Sequence, residues 1–375
     1  MSKKILTIVG ARPQIIKAAA VSRVVRGSFA GKLNEVIVHT GQHYDHGMSQ
    51  LFFDELQIPS PKVNLNIGSG ERANQLSAMI SGLSNVLQAE KPDVVLLYGD
   101  TNSTLAGAMA ASSLSIPVAH VEAGLRSYNK SMPEEINRIM TDHVSTLMFV
   151  PTQQGIMNLQ KEGFHAEQTG PFSSDRPGIF HCGDVMYDNA LHFKTNIESS
   201  KVRSLKTGGP YMLATLHRDH NTDQSSKLDE ALDALMRVSH ESSQRVILPL
   251  HPRTAHQLTP AMTAKLQAND SMEVIEPVSY LEMIALLRDA SLVITDSGGL
   301  QKEAFFFHKP CIIMRPQTEW TELVENGNAI VCDTNGEKIS AAVKHFMTRS
   351  ELTWPEFYGD GHAADFICEK LLASI

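Results

Sequence analysis

The chain has 375 residues, 42% hydrophobic and 20% charged, which is enough for two globular domains with ordinary cores. Its formal net charge is −8, which argues against a non-specific nucleic-acid binder. The sequence lacks a membrane-length apolar run, a signal peptide and any CxxC pair, so we expect a reduced, cytoplasmic protein.

The first half of the chain alternates short apolar strands with helices. Strands are predicted for "KILTIVG", "NEVIVHTG", "PDVVLLYGD", "IPVAHVEAG" and "TLMFVPT". Helices are predicted for "PQIIKAAAVSRVV", "HGMSQLFFDEL", "RANQLSAMISGLSNVLQAE", "STLAGAMAASSL" and "EEINRIMTDHV". Such alternation is typical of βα units that build a parallel sheet covered on both faces.

A stretch rich in Gly, Pro and Ser at 163–178 interrupts this pattern and indicates a domain boundary. Six further strands follow, in "PYMLATLH", "QRVILPLHP", "MEVIEPV", "ASLVITDSGG", "KPCIIMRP" and "NAIVCDT", and the chain ends with an amphipathic helix. We therefore predict an α/β protein with two similar, Rossmann-like domains facing each other, 1–175 and 176–354.

Polar motifs directly follow the predicted strands. In open parallel sheets, ligands bind beyond the carboxyl ends of the strands, so these motifs predict one cleft lined by both domains. They are Gly10-Ala-Arg-Pro, Thr40-Gly-Gln-His, Tyr98-Gly-Asp-Thr, His120-Val-Glu-Ala-Gly, His217-Arg, His251-Pro-Arg and Asp296-Ser-Gly-Gly.

One of these motifs opens a helix with Ser297, Gly298 and Gly299. Free backbone N–H groups at a helix start favour a phosphate, and the glycines allow its close approach. Glu303 lies one turn further on, where it could reach a ribose. The alternative is a Gly-rich turn in which the serine caps the helix.

Two bases, Arg12 and Lys17, lie near the start of the first predicted helix. A positive charge is disfavoured there, so a bound anion would remove the conflict. The alternative is that Arg12 pairs with a local carboxylate while Lys17 is solvated.

Three carboxylates at strand or helix ends are candidates for acid–base chemistry. Asp100 ends a strand, although it or Thr101 could instead cap the next helix. Glu122 follows an apolar strand, where a carboxylate near others can move protons. Glu134 is spaced i, i+4 from Arg138, so the two can pair on one helix face.

Two histidine pairs raise the question of a metal site, but neither carries an HExxH glutamate or a third ligand, so no metal is predicted. His217 is interpreted as a hydrogen-bond partner or an acid–base group. His251 and Arg253 either bind a phosphate or nucleotide, or form a cationic loop. The two pairs are His43-x-x-His46 and His217-x-x-His220.

In chain order, these motifs resemble those of the non-hydrolysing UDP-N-acetylglucosamine 2-epimerases, over nearly the whole chain. The blocks are "GARPQIIK", "YGDTNSTL", "HVEAGLRS", "MPEEINR", "TDHVS", "GDVMYDNAL", "TDSGGLQKEA" and "YGDGHAADFI". The resemblance implies a GT-B-like fold in which residues 355–375 return to the N-terminal domain. It also implies a homodimer that binds a UDP-sugar. No redox cofactor is expected, since the first strand lacks a GxGxxG motif.

The resemblance further implies the chemistry. UDP leaves by anti elimination across C1–C2, a 2-acetamidoglycal stays bound, and UDP adds back after a proton returns to the other face of C2. Roles are carried over by motif. Asp100, Glu122 and Glu134 would form the acid–base set, which Arg138 would orient. His217 would assist departure of the β-phosphate, whose charge Arg12 and Lys17 would neutralise, while Ser297, Gly298 and Gly299 would hold the diphosphate and Glu303 the ribose.

Two positions depart from the commonest family pattern. Gln14 stands where a glutamate is usual after "RP", and Trp320 stands in "TEWTE" where "TERPE" is common. Both changes resemble the branch that acts on UDP-2,3-diacetamido-2,3-dideoxyglucuronate for bacterial surface polysaccharide. In some members, substrate also acts at an allosteric site near "GQHYDHGM".

Three other functions fit parts of this pattern. A hydrolysing relative would release UDP and free sugar, but its first motif is usually nearer "GSRAEY". A GT-B glycosyltransferase would need an acceptor cleft and would not need three carboxylates around C2. A non-catalytic nucleotide-sugar binder would tolerate the loss of Glu122 and Asp100.

Overall fold

The computed structural model describes residues 2–42, 53–165, 169–194, 200–206, 208–349 and 351–375. The chain divides into two compact units, Met1–Leu191 with Glu356–Ile375, and His192–Pro355. Each unit contains one all-parallel sheet with helices between its strands, so the predicted α/β class with two Rossmann-like domains is confirmed. The predicted domain limits are 1–175 with 355–375, and 176–354. They differ from these units mainly in where the chain first passes from one to the other, after residue 175 rather than after Leu191. These limits stay predictions.

The first unit is built on a seven-stranded sheet. Its strands are β1 (Lys3–Val9), β2 (Leu33–His39), β3 (Val63–Asn64), β4 (Val94–Tyr98), β5 (Val118–Val121), β6 (Leu147–Val150) and β7 (Gly178–His181). Its helices are α1 (Arg12–Arg26), α2 (Arg72–Glu90), α3 (Asn102–Ser113), α4 (Pro133–Val144), α5 (Gln153–Lys161), α6 (Val185–Phe193) and the C-terminal α16 (Ala363–Ser374). The last two residues of α6 already belong to the second unit.

The second unit is built on a six-stranded sheet. Its strands are β8 (Tyr211–Thr215), β9 (Arg245–Pro249), β10 (Met272–Ile275), β11 (Leu292–Thr295), β12 (Cys311–Ile313) and β13 (Ala329–Val331). Its helices are α7 (Ser200–Lys206), α8 (Asp219–Thr222), α9 (Ser225–Ser242), α10 (Pro252–Gln257), α11 (Pro260–Gln267), α12 (Tyr280–Asp289), α13 (Gly298–Phe306), α14 (Thr321–Glu325) and α15 (Gly336–Thr348). No helix in the described ranges is long and apolar enough to cross a bilayer.

The two sheets share one topology. The strand orders are β3-β2-β1-β4-β5-β6-β7 and β10-β9-β8-β11-β12-β13, so the order reverses between β1 and β4 and again between β8 and β11. At such a switch point, adjacent loops leave the carboxyl ends in opposite directions and open a crevice for a ligand. The topology therefore predicts ligand-binding residues at the ends of β1 and β4 in the first unit, and at the ends of β8 and β11 in the second.

The six strands predicted for the second half are confirmed, as are the five predicted for the first half. The sequence did not predict β3, which has only two residues, or β7, which emerges from the Gly- and Pro-rich stretch. The predicted helix "HGMSQLFFDEL" lies largely outside the described residues.

Helix α3 is rich in small residues and packs closely on the sheet at Gly107. A Cβ at Gly107 would approach the side chain of Leu97 to 2.6 Å and that of Ile8 to 2.9 Å, so only glycine fits without rearrangement. Interiors are packed too densely to absorb such an overlap cheaply. This contact holds the start of α3 directly behind the end of β4.

The C-terminal helix α16 packs on α1, and its first turn is capped by a distant carboxylate. Its own N-cap residue, His362, makes no side-chain cap. Instead Asp188 in α6 accepts hydrogen bonds from the backbone N–H groups of Ala363 (3.2 Å) and Ala364 (2.7 Å). Burial raises the pKa of Asp188 to about 6, although these hydrogen bonds oppose the rise.

A pH dependence of stability follows from this raised pKa. Asp188 contributes stability that is fully present below its unfolded-state pKa and is lost as the pH rises through about 6. Relative to the Asp188→Asn variant, the wild type should lose unfolding free energy between about pH 4 and about pH 7. Denaturant titrations of both proteins measure that difference, and Asp365→Asn in α16 is the matched control for the change of charge. A difference that stays constant over this interval would contradict the prediction.

Candidate functional site

Side chains from α1 and from the turn after β5 converge on Gly99, the residue that follows β4. Gly99 has a φ of +63°, and a Cβ at this position would lie 3.0 Å from Lys17 Nζ and 3.1 Å from Glu122 Oε2. Only glycine adopts this conformation readily and leaves space for the two charged groups. The end of β4 is therefore shaped around an ion pair.

The ion pair joins Lys17 in α1 to Glu122 after β5, through direct contact between Nζ and Oε2. Each side chain is only 10% exposed. Removing one member of a buried pair destabilises a protein by roughly 3–5 kcal/mol, because the other charge is left uncompensated. The alternative of a solvated Lys17 is therefore wrong: this lysine is buried and has a carboxylate partner.

Glu122 also has an unusual backbone conformation, with a φ of +73°. A residue with a side chain rarely adopts this conformation, which persists only where the surroundings hold it. Here the backbone N–H groups of Glu122 and Ala123 both donate to the carbonyl oxygen of Phe149, at 3.0 and 3.1 Å. The strained turn aims the carboxylate of Glu122 at Lys17 and the Gly99 position.

Asp100 pairs with Arg138 in α4, at 2.9 Å between Oδ2 and Nη1, and its side chain is 33% exposed. Thr101, not Asp100, caps helix α3, in a reciprocal capping box with Thr104. The capping alternative is therefore satisfied by the neighbouring residue. The Asp100 carboxylate, oriented by Arg138, is available for another role.

The two adjacent glutamates at the start of α4 have different surroundings. Glu135, which the sequence did not single out, is buried and accepts hydrogen bonds from the N–H groups of Ser127 and Tyr128, both at 2.8 Å. Arg138 Nε also lies 3.3 Å from it. Glu134 is half-buried, takes no part in these ion pairs, and receives no hydrogen bond from the described residues. Glu135 thus has a structural role, and Glu134 stays the candidate for proton transfer.

Gln14 joins three segments that meet at the switch point. Its Oε1 accepts from the N–H of Gly10 (2.9 Å), and its Nε2 donates to the carbonyl of Tyr98 (3.1 Å) and to Thr104 Oγ1 (3.0 Å). The side chain is buried, so these bonds satisfy an amide for which water is not a substitute. This contact explains why an amide suits the position in this chain. Arg12, in contrast, is exposed at the first position of α1.

In the second unit, Asp296 after β11 organises the end of β8. It is fully buried and accepts from the backbone N–H groups of His217 (2.9 Å) and Arg218 (2.9 Å), and from the side chain of Asn221 (3.1 Å). The Nδ1 atom of His217 lies 3.5 Å from the same carboxylate. Asp296 therefore fixes the position of His217, a role that the sequence did not assign to it.

The start of α13 is surrounded by cationic and N–H groups. Ser297 caps the helix by accepting from the N–H of Leu300 at 3.4 Å, as the capping alternative predicted. A Cβ at Gly298 would lie 3.7 Å from Arg315 Nη1 and 4.0 Å from Arg218 Nη2. Cations beside a helix N-terminus make a strong anion site, so the serine cap and phosphate binding are compatible.

Trp320, one of the two unusual residues, supports this helix start. Its indole N–H donates to the carbonyl of Gly298 at 3.0 Å, and Lys302 Nζ lies 4.2 Å from the centre of its ring. Lys302 and the neighbouring Glu303 are both buried. The predicted ribose ligand, Glu303, therefore lies beneath the anion site rather than on an exposed face.

The remaining polar candidates divide between the site and the surface. The His251 and His217 rings lie 5.1 Å apart, and His251 Nδ1 caps α10 by accepting from the N–H of Arg253 at 3.2 Å. Arg253 pairs with Asp219 and Asp223, so its charge is already met by carboxylates.

The histidine pairs do not form a metal centre in the part of the chain that the structure describes. His220 lies 3.3 Å from Asp333 and 2.7 Å from Lys227 Nζ. His43, His46 and most of the "GQHYDHGM" segment lie outside the described residues. Within the described ranges, no group of three or more His, Cys, Asp or Glu side chains could hold a metal ion.

Comparison with known proteins places this geometry in context. Residues 28–372 match a family model described as UDP-N-acetylglucosamine 2-epimerase. The chain is 46% identical to a UDP-N-acetylglucosamine 2-epimerase homolog of Methanococcus maripaludis, over 98% of this chain and 99% of that protein. It is 45% identical to the UDP-2,3-diacetamido-2,3-dideoxy-D-glucuronate 2-epimerase of Pseudomonas aeruginosa, again over 98% and 99%.

A similar solved structure is that of Methanocaldococcus jannaschii UDP-GlcNAc 2-epimerase in complex with UDP-GlcNAc and UDP. The TM-score is 0.88 at 39% identity, with 99% of each chain covered.

The buried amide of Gln14 gives a prediction about local stability. Gln14→Glu would place carboxylate oxygens against the Tyr98 carbonyl and remove two donated hydrogen bonds, so we expect a loss of about 1–3 kcal/mol at neutral pH. Gln153→Glu, at the exposed first position of α5, is the matched control and should cost less than about 0.5 kcal/mol. Denaturant unfolding measures both values. Equal stability of the two variants would show that the Gln14 contacts contribute little.

Proposed function

The chain belongs to the UDP-N-acetylglucosamine 2-epimerase family, and on that premise we propose that it inverts C2 of a UDP-2-acetamido sugar by eliminating UDP and adding it back. It is an isomerase, and the non-hydrolysing reaction fits its relatives. The C1–O bond breaks as the C2 proton is removed, which gives UDP and a 2-acetamidoglycal. Return of a proton to the opposite face of C2 and of UDP to C1 completes the inversion.

This reaction makes two demands on the protein. The proton at C2, beside an acetamido group, is weakly acidic, so its removal needs a positioned base. UDP leaves only if the charge that develops on its β-phosphate meets cations or backbone N–H groups. A site for this reaction must therefore combine carboxylates with an anion-binding helix start.

We assign the proton transfers to the first unit. Asp100 and Glu122 are each oriented by a cation, Arg138 and Lys17 respectively, and Glu134 lies one helical turn before Arg138. Support for the assignment comes from burial and strain, because a glutamate with φ of +73° is a costly arrangement to keep for structure alone. Lys17 would exchange Glu122 for the phosphate of the substrate, and Arg12 would add a second positive charge. That exchange leaves Glu122 as a stronger base when substrate is bound.

We assign the diphosphate to the start of α13 in the second unit. Gly298 and Gly299 offer backbone N–H groups, and Ser297 offers its hydroxyl, since its own N–H donates to Thr295 Oγ1 at 2.9 Å. Arg218 forms no ion pair within the described ranges, so its charge is available to an anion. His217, held by Asp296, would donate to the departing β-phosphate, with His251 beside it. Glu303 would bind the ribose, which requires access from the helix start.

One observation carries the proposal: both switch points of the same fold are polar, but with opposite chemistry. The first collects carboxylates with matched cations, and the second collects a helix N-terminus with Arg218 and His217. A nucleotide sugar needs both kinds of group, one for its pyranose carbons and the other for its diphosphate.

Two sugars are candidates for the substrate. Relatives include enzymes named for UDP-GlcNAc and one named for the diacetamido glucuronate, and Gln14 and Trp320 favour the second branch. We also propose that the protein acts as a cytoplasmic homodimer; light scattering behind size exclusion tests the oligomeric state.

The proposed reaction is tested by incubating the protein in D₂O with each sugar and following the NMR spectrum. We expect deuterium at C2 and a mixture of the gluco and manno forms from at least one of them. Glu122→Gln should reduce this exchange by roughly 100-fold or more, while UDP binding measured by calorimetry is retained or tightened, because Lys17 no longer has to leave a carboxylate. Absence of exchange with both sugars would overturn the proposed function, and a fully active Glu122→Gln would overturn the role of that residue.

The diphosphate assignment is tested by adding one methyl group. A Cβ at Gly298 meets only ordinary contacts of 3.7 Å or more, so Gly298→Ala should fold with unchanged thermal stability. It should nevertheless weaken UDP binding about tenfold or more, since a phosphate needs close approach to the backbone. Gly336→Ala is the matched control: Gly336 also follows a capping residue at the first position of a helix, α15, and a Cβ there lies 3.5 Å or more from its neighbours. Equal UDP affinity in both variants would place the diphosphate elsewhere.

A further inference from the structure

A fully buried histidine lies directly behind the carboxylates of the first unit. His120, in β5, bonds through both ring nitrogens: Nδ1 lies 2.7 Å from Asp142 Oδ1, and Nε2 lies 2.8 Å from the carbonyl oxygen of Gly99. A carbonyl oxygen can only accept a hydrogen bond, so Nε2 carries a proton. The charge of the ring then depends on its other nitrogen.

Asp142 fixes the proton on that nitrogen. Burial alone would raise the pKa of the Asp142 carboxyl, but hydrogen bonds and charges from His120 and Arg126 hold it below its ordinary value. An ionised carboxylate only accepts, so Nδ1 of His120 must donate. With a proton on each nitrogen, the buried ring is an imidazolium cation.

The surrounding charges balance this cation. Arg126 donates to Asp142 at 2.7 Å and forms a two-pronged pair with Glu162, also at 2.7 Å on each side. The cluster thus contains two cations and two carboxylates, drawn from β5, the loop after it, α4 and the end of α5. Among the described residues, His143 also faces the cluster: it is half-exposed and lies 3.6 Å from Glu162.

The cluster holds both loops that carry the candidate catalytic carboxylates. The Gly99 carbonyl, which His120 binds, immediately precedes Asp100. Asp142 Oδ2 accepts from the backbone N–H of Gly124, two residues after Glu122, at 3.1 Å. One imidazolium–carboxylate pair therefore joins the turn after β4 to the strained turn after β5.

One face of α4 contacts both carboxylate-bearing turns. Glu134, Arg138 and Asp142 are spaced i, i+4 and i+8, so they lie in one row along the helix. Arg138 binds the Asp100 side chain, and Asp142 binds the loop of Glu122 through His120 and Gly124. A shift of this helix would move both carboxylates together.

We propose that His120 and Asp142 are positioning residues for C2 inversion: Asp142 keeps His120 doubly protonated, and the imidazolium fixes the Gly99 carbonyl so that Asp100 and Glu122 keep their relative placement. The inference rests on the proposed function, because it concerns where the proton-transferring groups are held. Both side chains are fully buried and face away from solvent, so they act through the turns that they bind. A misplacement of about 1 Å in such groups lowers a rate by roughly 100-fold.

The charge of His120 can be measured without any turnover. In wild-type protein containing histidine labelled with ¹³C at Cε1, the His120 signal is identified by its loss in His120→Asn. At neutral pH we expect the chemical shift of an imidazolium, because a carboxylate that accepts from Nδ1 and a carbonyl oxygen that accepts from Nε2 require a proton on each nitrogen. The shift of a neutral ring would overturn the proposal. This result does not depend on whether the protein is an epimerase.

The positioning role is measured in Asp142→Asn by the kcat and KM of C2 deuterium exchange with UDP-GlcNAc or the diacetamido glucuronate, whichever the wild type turns over. The change removes the carboxylate that binds His120 and the N–H of Gly124, so the turns after β4 and β5 lose their common support and kcat should fall by about 100-fold. The KM should change by less than about threefold, since the diphosphate site is untouched.

His143→Asn, next to Asp142 in the same helix, is the matched control and should keep the wild-type kcat and KM. A wild-type kcat in Asp142→Asn, or a KM that rises as far as kcat falls, would overturn the positioning role. If Asp142→Asn does not fold, the kcat and KM of His120→Asn decide in the same way.

Discussion

The buried ion pair between Lys17 and Glu122 is the interaction on which the rest of the first unit depends. Such a pair contributes little net stability, because removing two charges from water costs about as much as their attraction returns. Yet the fold is arranged around it: Gly99 lacks a side chain where one would touch both charges, and Glu122 holds a left-handed conformation to reach Lys17. The proposed reaction accounts for this costly arrangement. In that reaction the substrate phosphate binds Lys17, the ion pair separates, and Glu122 can then accept a proton.

The second unit has the same strand order as the first but carries different polar residues at its switch point. Both sheets reverse their strand order after the first strand, and both place their polar residues at that point. In the second unit a buried carboxylate, Asp296, holds the end of β8 by accepting from the backbone N–H groups of His217 and Arg218 and from the side chain of Asn221. The same topology therefore carries carboxylates paired with cations in the first unit and a helix N-terminus beside arginines in the second.

The sequence predicted the parts of this structure that depend on neighbouring residues. Apolar runs ending in polar motifs predicted the strands and the edge where the site lies, because burial on both faces of a parallel sheet leaves a clear local pattern. The serine at the start of α13 was likewise readable as a cap. Partners distant in the sequence were not: Lys17 and Glu122 are 105 positions apart, so the solvated alternative for the lysine could not be excluded beforehand. Asp188, which caps α16 from 175 positions away, left no signal for the same reason. Glu134 and Glu135 are the clearest example of what the sequence could not predict. They are adjacent and identical, and only Glu135 binds the backbone of the loop before α4, at Ser127 and Tyr128.

The central claim is that UDP leaves C1 and returns to the same sugar. It is tested most directly with the UDP-sugar substrate carrying ¹⁸O in the bridge between C1 and the β-phosphorus. If UDP departs and re-adds, rotation of the free β-phosphate places the label in non-bridging positions, and the recovered nucleotide sugars should show this redistribution by ³¹P NMR alongside inversion at C2. Inversion at C2 with the label wholly retained in the bridge would contradict the account, because the C1–O bond would then have stayed intact.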